Sequence, residues 1–185
     1  MFFSSILFLT QVWDYSILRA GFGVAPGPAL VAVLAPNMGN LAGRIGHRPL
    51  LLVGGLAFAI DGLWRLVFLD GTPSYVTAYL PLMLFTGIGV AMCLPQLSSV
   101  VAQSLPPNRL RVGGGSNQAI RQFGGTLGVA QTIAFIASPT SLAEALSHFD
   151  LVWWLLIVGG LLTSVLSMPL MTRRTAHGTA RRAPS

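Results

Sequence analysis

Five long apolar blocks, separated by short connectors that carry Pro, Gly and charge, limit what this chain can fold into. The blocks cover residues 21–42, 49–69, 76–105, 113–137 and 151–172. Each is near or above the roughly 20 residues that an α-helix needs to cross a bilayer, whereas barrel strands would give short alternating runs. We therefore predict an all-α fold, a polytopic transmembrane helix bundle that occupies residues 1–172.

The composition points to lipid as the solvent for most of the chain. Only 9% of the 185 residues are charged and 53% are hydrophobic. Soluble domains carry roughly 25% charged residues, so this chain has too few charges to build a water-exposed surface. We expect its environment to be the lipid bilayer of the inner (plasma) membrane, which it crosses several times.

The arginines predict the orientation of the bundle. The chain has no lysine, and most of its arginines lie in connectors 43–48 and 106–112 and in the tail 173–185. If every block spans once, these three segments lie on one side, which the positive-inside rule makes cytoplasmic. The net charge of +6 therefore reflects membrane topology, and we expect no nucleic-acid partner. Residues 173–185 lack periodicity and are predicted to form a disordered, basic cytoplasmic tail.

Residues 1–12 are apolar but reach only about half of a membrane span. They lack the basic start and the cleavage site of a signal peptide. We predict either a re-entrant stub or a partial helix, and favour a chain that begins within a helix.

The sequence gives little support for catalysis. Cys93 is the only cysteine, and the three histidines lack the spacing of metal ligands. No phosphate-binding loop or pair of catalytic carboxylates is visible. We expect no enzymatic activity, no catalytic residue, no metal site and no cofactor.

Asp61 and Arg65 are the strongest candidates for a functional site. They lie near the middle of the second full span, and a separation of four residues puts them on one helix face. A charged side chain at that depth costs roughly 2.5 to 3.5 kcal/mol on insertion scales. One interpretation is a carboxylate that takes up protons, held by a guanidinium. The other is a structural ion pair that satisfies itself, with Arg65 extended outward to the membrane surface.

Further polar side chains in the third and fourth spans are candidates for lining a substrate cavity: Gln96, Gln118, Arg121, Gln122 and Gln131. The structural alternative is that the glutamines link neighbouring helices and that Arg121 reaches the cytoplasmic headgroups.

Residues 39–48 read Gly-Asn-Leu-Ala-Gly-Arg-Ile-Gly-His-Arg. This segment resembles the cytoplasmic loop motif of the major facilitator superfamily, in which a Gly and an acid precede Arg-x-Gly-Arg-Arg. The matching positions are Gly39, Arg44, Gly46 and Arg48. Gly43 stands at the acidic position, a substitution that weakens the ion-pair latch formed by the motif in that family.

Three other stretches look like the fourteen-helix drug:proton antiporter branch of that superfamily. They are residues 11–21, residues 87–95 and, most specifically, residues 116–130. The four motifs occur in the family's order. The resemblance implies the last five helices of an exporter, preceded by the end of a sixth.

The resemblance therefore implies the carboxyl-terminal portion of a proton-coupled exporter of drugs or metabolites, not competent to transport alone. Its expected partners are protons, a small-molecule substrate and a missing amino-terminal half or a second copy of the chain. The alternative is a small self-standing membrane protein that acts by helix-helix association with another membrane protein.

Overall fold

The computed structural model describes residues 1–135 and 142–169, and this part of the chain is helical and contains no strand. The predicted all-α fold is confirmed. The elements are α1 (Phe2–Gln11), α2 (Ile17–Val24), α3 (Pro26–Ile45), α4 (His47–Phe68), a π-helical turn (Tyr75–Tyr79), α5 (Leu80–Gln103), a 3-10 turn (Pro107–Arg109), α6 (Leu110–Phe135) and α7 (Leu142–Ser167).

Four segments of the described chain are both long and apolar enough to cross a bilayer: Ile17–Ile45, His47–Phe68, Tyr75–Gln103 and Glu144–Ser167. The fourth predicted span, residues 113–137, forms α6, which has 26 residues but does not reach the same hydropathy. Gln118, Arg121 and Gln122 lie within α6 and lower its apolar character. Helix α1, with 10 residues, has about half the length of a span, as predicted.

The helix boundaries differ from the predicted ones for local reasons. The first full span begins at Ile17 rather than residue 21, because Ser16 caps α2 and accepts a hydrogen bond from the Arg19 amide at 3.3 Å. Pro26 then lies in the first turn of α3. Proline fits there because an amide hydrogen in the first turn has no acceptor within the helix. Helix α7 starts at Leu142 rather than residue 151. The tail 173–185 lies outside the described residues.

Helix α4 is the centre of the bundle and packs against α5 on one side and α7 on the other. Gly54 faces Cys93 of α5, and Gly55 faces Gly160 and Ser164 of α7. The Ser164 hydroxyl donates to the carbonyl of Leu52 at 3.1 Å, so a hydrogen bond accompanies this contact. Small residues are what allow helix backbones to approach closely in a membrane, where lipid offers no hydrophobic driving force for association.

Aromatic side chains close the bundle at the end that holds the α1–α2 turn. Phe8 of α1 meets the rings of Trp13, Phe149 and Trp153 edge-on, with centroid distances of 5.7, 5.2 and 6.2 Å. Trp13 also donates its indole N–H to the carbonyl of Asp70 at 2.9 Å. The connector after α4 therefore lies beside the α1–α2 turn, and α1 is fixed to α7 through ring contacts.

Helix α6 contributes little to this core. Thr132 is its only buried residue among those described. A Cβ added at Gly114, Gly124 or Gly128 would meet no atom within 4 Å. Most of the surface of α6 is therefore free of contacts within the described chain.

The α4–α7 contact gives a prediction for stability. A Cβ on Gly160 would lie 2.6 Å from the carbonyl oxygen of Gly55 and 2.7 Å from the amide nitrogen of Ala59, and backbone atoms cannot rotate away. We expect Gly160→Ala to lower the free energy of unfolding by about 1 to 3 kcal/mol, measured by unfolding in lipid bicelles.

Gly159→Ala is the matched control, because a Cβ at the neighbouring position would meet nothing within 4 Å. It should leave the free energy of unfolding unchanged or raise it by up to about 1 kcal/mol, since Ala favours helix over Gly. Equal effects of the two substitutions would show that α7 does not pack on α4 in this register.

Candidate functional site

Asp61 and Arg65 form a salt bridge in the carboxyl-terminal part of α4, with Arg65 in its last turn. Arg65 Nε lies 3.2 Å from Asp61 Oδ1, as the four-residue spacing on one helix predicts. Asp61 is 0% exposed and Arg65 is 1% exposed. Two opposite charges are therefore enclosed together inside the bundle.

Other helices supply the remaining hydrogen-bond partners of the pair. Arg65 Nη1 donates to the hydroxyl of Ser5 in α1 at 3.0 Å, and Nη2 donates to the hydroxyl of Thr86 in α5 at 3.3 Å. Thr86 in turn donates to Asp61 Oδ2 at 2.9 Å. Both carboxylate oxygens and all three guanidinium nitrogens are thus engaged, which offsets the cost of taking the charges out of water.

Helix α7 covers the face of the guanidinium. Arg65 Cζ lies 4.5 Å from the centre of the Trp153 ring, within the distance of a cation–π contact. Tyr79 closes another side, and its hydroxyl donates to the carbonyl of Ser5 at 3.4 Å. Because Arg65 is held by these contacts, it does not extend outward to the membrane surface, which removes that part of the structural alternative.

The chemistry of the pair follows from this hydrogen-bond pattern. With Asp61 ionised, the site is electrically neutral and every acceptor oxygen of the carboxylate receives a hydrogen bond. A proton on Asp61 would leave the Arg65 cation without its counter-ion. In a medium of low dielectric constant such an imbalance is costly unless the surrounding groups rearrange. The arrangement can therefore link proton uptake to a change in helix contacts.

Gln96 lies in a different cluster from this pair, nearer the carboxyl-terminal end of α5. It is 1% exposed, donates to the carbonyl of Met38 at 3.2 Å and meets His47 Nδ1 at 2.7 Å. The other ring nitrogen of His47 lies 2.8 Å from Gln103 Nε2. Gln96 thus links α5 to α3 and α4, the structural role that glutamines often have between membrane helices.

The loop motif surrounds this cluster. Gly46 has a φ of 87° and sits between α3 and α4, a left-handed conformation that favours glycine. Arg44 and Arg48 are exposed on either side of it, and Gly39 is exposed on α3. Their cytoplasmic role stays a prediction.

The polar residues of α6 are separate from the buried pair. Gln118, Arg121, Gln122 and Gln131 are all exposed. Gln131 lines a cavity of about 160 Å³ between α1, α6 and α7, together with Ser4, Thr132 and Trp153. Trp153 therefore contacts both the cavity and Arg65. A role of Gln118, Arg121, Gln122 and Gln131 in substrate binding stays a prediction.

Four residues of the site were not predicted from the sequence: Ser5, Tyr79, Thr86 and Trp153. Each is an ordinary membrane-helix residue, and the only available signal is that an Asp and an Arg in one span need partners from other helices. Among the described residues, no three His, Cys, Asp or Glu side chains are grouped so that they could hold a metal ion.

Comparison with known proteins agrees with the predicted family. Residues 1–129 match the model of the Major Facilitator Superfamily. The chain is 34% identical over 123 residues to Multidrug resistance protein Stp of Mycobacterium tuberculosis, which covers 66% of this chain and 22% of that protein. It is 24% identical over 149 residues to Multidrug export protein EmrB of Escherichia coli, covering 78% of this chain and 29% of that one.

A third relative aligns along the entire chain. Cephamycin export protein CmcT of Amycolatopsis lactamdurans is 26% identical over 188 residues, which cover 100% of this chain and 39% of that protein. The chain thus spans between 22% and 39% of the length of these three relatives. No solved structure matches the chain significantly.

The membrane-length helices agree with this family, and the likeness to multidrug resistance and export proteins agrees with its drug:proton antiporter branch. The match over residues 1–129 shows that this chain belongs to the Major Facilitator Superfamily.

Proposed function

We propose that this chain forms the carboxyl-terminal portion of a proton-coupled exporter of drugs or metabolites. Three of its relatives are named for multidrug resistance, multidrug export and cephamycin export. Two of these names state export and the third states multidrug resistance, and the chain shares their family. Protons and a small organic substrate are therefore the ligands proposed for the transporter to which this chain contributes.

The buried Asp61–Arg65 pair carries the proposal of proton coupling. Its carboxylate is 0% exposed and lies where α1, α4, α5 and α7 meet. Ionisable groups inside membrane bundles are rare and mark proton or substrate pathways. We assign proton uptake to Asp61 and assign Arg65 the role of its partner.

The chain is proposed to need another membrane segment in order to transport. Alternating access in this fold involves two halves that rock around a site between them. The described chain leaves α6 largely uncovered, with the polar side chains of Gln118, Arg121 and Gln122 exposed on a helix of membrane length. An amino-terminal half or a second copy would cover such a face.

The same exposed helix supports the alternative function. A membrane protein that acts by association alone would also use a helix face without contacts inside its own bundle. The two functions differ in one measurable respect, because only the exporter moves substrate in exchange for protons.

Asp61→Asn removes the titrating carboxyl and keeps the shape of the side chain. In inverted membrane vesicles that contain the complete gene product, we expect proton-driven efflux of a cationic dye to fall by about tenfold or more, the loss typical of an essential proton-transfer group. The measurement is the initial rate of dye transport at several values of pH.

Asp70→Asn is the control. Asp70 is exposed in the connector after α4, where hydrogen bonds from the Thr72 hydroxyl and amide lower the pKa of its carboxyl. It is therefore ionised at neutral pH but lies exposed outside α4, without contact to the buried pair, and efflux should stay near the unmodified rate. An Asp61→Asn protein whose efflux keeps its rate and its pH dependence would contradict the assignment of Asp61.

The proposed orientation places the carboxyl terminus in the cytoplasm. In the bundle, the Gln103–His47 contact sets the end of α5 beside the α3–α4 turn that carries Arg44 and Arg48. The two arginine-bearing connectors thus lie at one end, and the Trp13–Asp70 hydrogen bond marks the other. The positive-inside rule assigns the first end to the cytoplasm.

Reporter fusions test this orientation. Green fluorescent protein fused after Ser185 should fluoresce, and alkaline phosphatase at the same position should be inactive, because the first folds in the cytoplasm and the second folds outside it. The opposite pattern is expected for insertions at Gly71. Active alkaline phosphatase after Ser185 would reverse the proposed topology.

A further inference from the structure

Thr86 of α5 has two opposite hydrogen-bond roles in the buried network. Its hydroxyl oxygen accepts from Arg65 Nη2 at 3.3 Å, and its hydroxyl hydrogen goes to Asp61 Oδ2 at 2.9 Å. A hydroxyl has one donor hydrogen, and Asp61 Oδ2 is its only acceptor among the described residues. Thr86 is thus the only residue of α5 that touches both members of the pair.

A proton on Asp61 is incompatible with this pattern. If the proton sits on Oδ2, two hydrogens point at each other between Asp61 and Thr86, and one of them must find another acceptor. If it sits on Oδ1, it faces the N–H of Arg65 Nε at a donor–acceptor distance of 3.2 Å. Either way one buried donor, the new O–H of Asp61 or the Thr86 hydroxyl, needs an acceptor that the present pattern does not supply, which is unfavourable in a bundle core.

The backbone around Thr86 cannot shift locally to relieve this conflict. A Cβ on the next residue, Gly87, would lie 2.9 Å from the carbonyl oxygen of Gly27 in α3. A Cβ on Gly89 would lie 3.1 Å from the ring of Phe58 in α4. Because α5 lies close to α3 at Gly87 and to α4 at Gly89, a displacement of the backbone at Thr86 moves α5 relative to both neighbours.

The other groups that face the pair do not replace Thr86. Arg65 lies on the same helix as Asp61, and Tyr79 donates its hydroxyl hydrogen to the Ser5 carbonyl. The amino group of Met1 interacts electrostatically with both members of the pair from the α1 side. Helix α7 contributes the ring of Trp153, which does not titrate.

We propose that Thr86 is a positioning residue that makes the contact between α4 and α5 depend on the charge of Asp61. The contact is closed when the carboxylate accepts the Thr86 hydrogen and opens when Asp61 takes up a proton. This proposal rests on the proposed role of Asp61 as the proton acceptor. Because linkage is reciprocal, weakening the Thr86 contact makes protonation of Asp61 easier by the same factor.

An infrared titration measures this linkage directly. The complete gene product is purified in lipid, and the carbonyl band of a protonated Asp61 is identified as the band that Asp61→Asn removes. Thr86→Val keeps the shape but has no hydroxyl, so the midpoint of this band should move upward by about one pH unit or more, the effect of losing one charged hydrogen bond. Thr86→Ala should give a shift of the same sign.

Thr86→Ser and Thr132→Val are the controls. Thr86→Ser restores the hydroxyl and should return the midpoint to within a few tenths of a pH unit, a rescue that a packing role for the methyl group would not produce. Thr132 is also a buried threonine, but its hydroxyl donates to the Gly128 carbonyl of its own helix at 2.8 Å. Thr132→Val should leave the midpoint unchanged.

Cys93 reports the opening of the α4–α5 contact. It lies seven residues after Thr86 on the same helix, is 4% exposed and faces Gly54 of α4. In a background where Cys93 is the only cysteine, Asp61→Asn imitates the uncharged acid and should speed maleimide labelling of Cys93 at neutral pH by about tenfold, as expected when a buried contact opens. Thr132→Val should label at the unmodified rate.

Two results overturn the proposal. One is an Asp61 band whose midpoint is the same in Thr86→Val and in the unmodified protein, and the other is a Cys93 labelling rate that does not change in Asp61→Asn. Either can occur while Asp61→Asn still abolishes efflux, in which case the proposed function stands and the role of Thr86 falls. If the midpoint shifts and efflux survives Asp61→Asn, the linkage stands and the proposed proton coupling falls.

Discussion

The enclosure of one Asp–Arg pair is the constraint on which the rest of this bundle depends. Two charges away from water are stable only if their attraction is supplemented by hydrogen bonds that fill the remaining donor and acceptor positions. Here Ser5, Thr86 and Trp153 supply those contacts from α1, α5 and α7, while α4 carries the pair itself. Removing one member of such a pair costs about 3 to 5 kcal/mol in measured cases, so the relative positions of four helices are fixed by a single polar cluster.

Close packing around α4 is what brings those partners within reach. The guanidinium and the indole ring lie 4.5 Å apart because α7 approaches α4 at Gly55 and Gly160, where a side chain on either residue would meet backbone atoms of the other helix. In its contact with α5, the absence of a side chain at Gly54 leaves room for the thiol of Cys93. Glycines on two faces of one helix therefore allow polar groups of neighbouring helices to meet around Asp61, at separations that larger residues would prevent.

The sequence predicts the helices and one contact within a helix, but it does not predict which residues of different helices meet. Apolar block length predicts the helices, and a separation of four residues predicts the contact of Asp61 with Arg65. It could not be predicted that α6 buries so little of its surface, because the apolar blocks give the length and apolarity of each helix but not which face packs against a neighbour. Ser5 and Thr86 lie 60 and 21 residues from Arg65 in the chain, so only the helix packing reveals their role. Gln96 shows the same limit, since a glutamine in a span fits a cavity wall and a helix linkage equally well until its partner His47 is known.

The α4–α5 contact is held by polar groups at two levels, and only the first of them includes Asp61. Towards the end of α4, Thr86 bridges the Asp61–Arg65 pair, and its contact is proposed to depend on the charge of Asp61. At the start of α4, neutral amide groups of Gln96 and Gln103 hold both nitrogens of the His47 ring. A proton on Asp61 acts directly on the first level only, so the proposed opening of the α4–α5 contact begins at Thr86. A bundle built this way can convert a change of one charge into a movement of one helix, because a packed interface switches between discrete arrangements rather than deforming continuously.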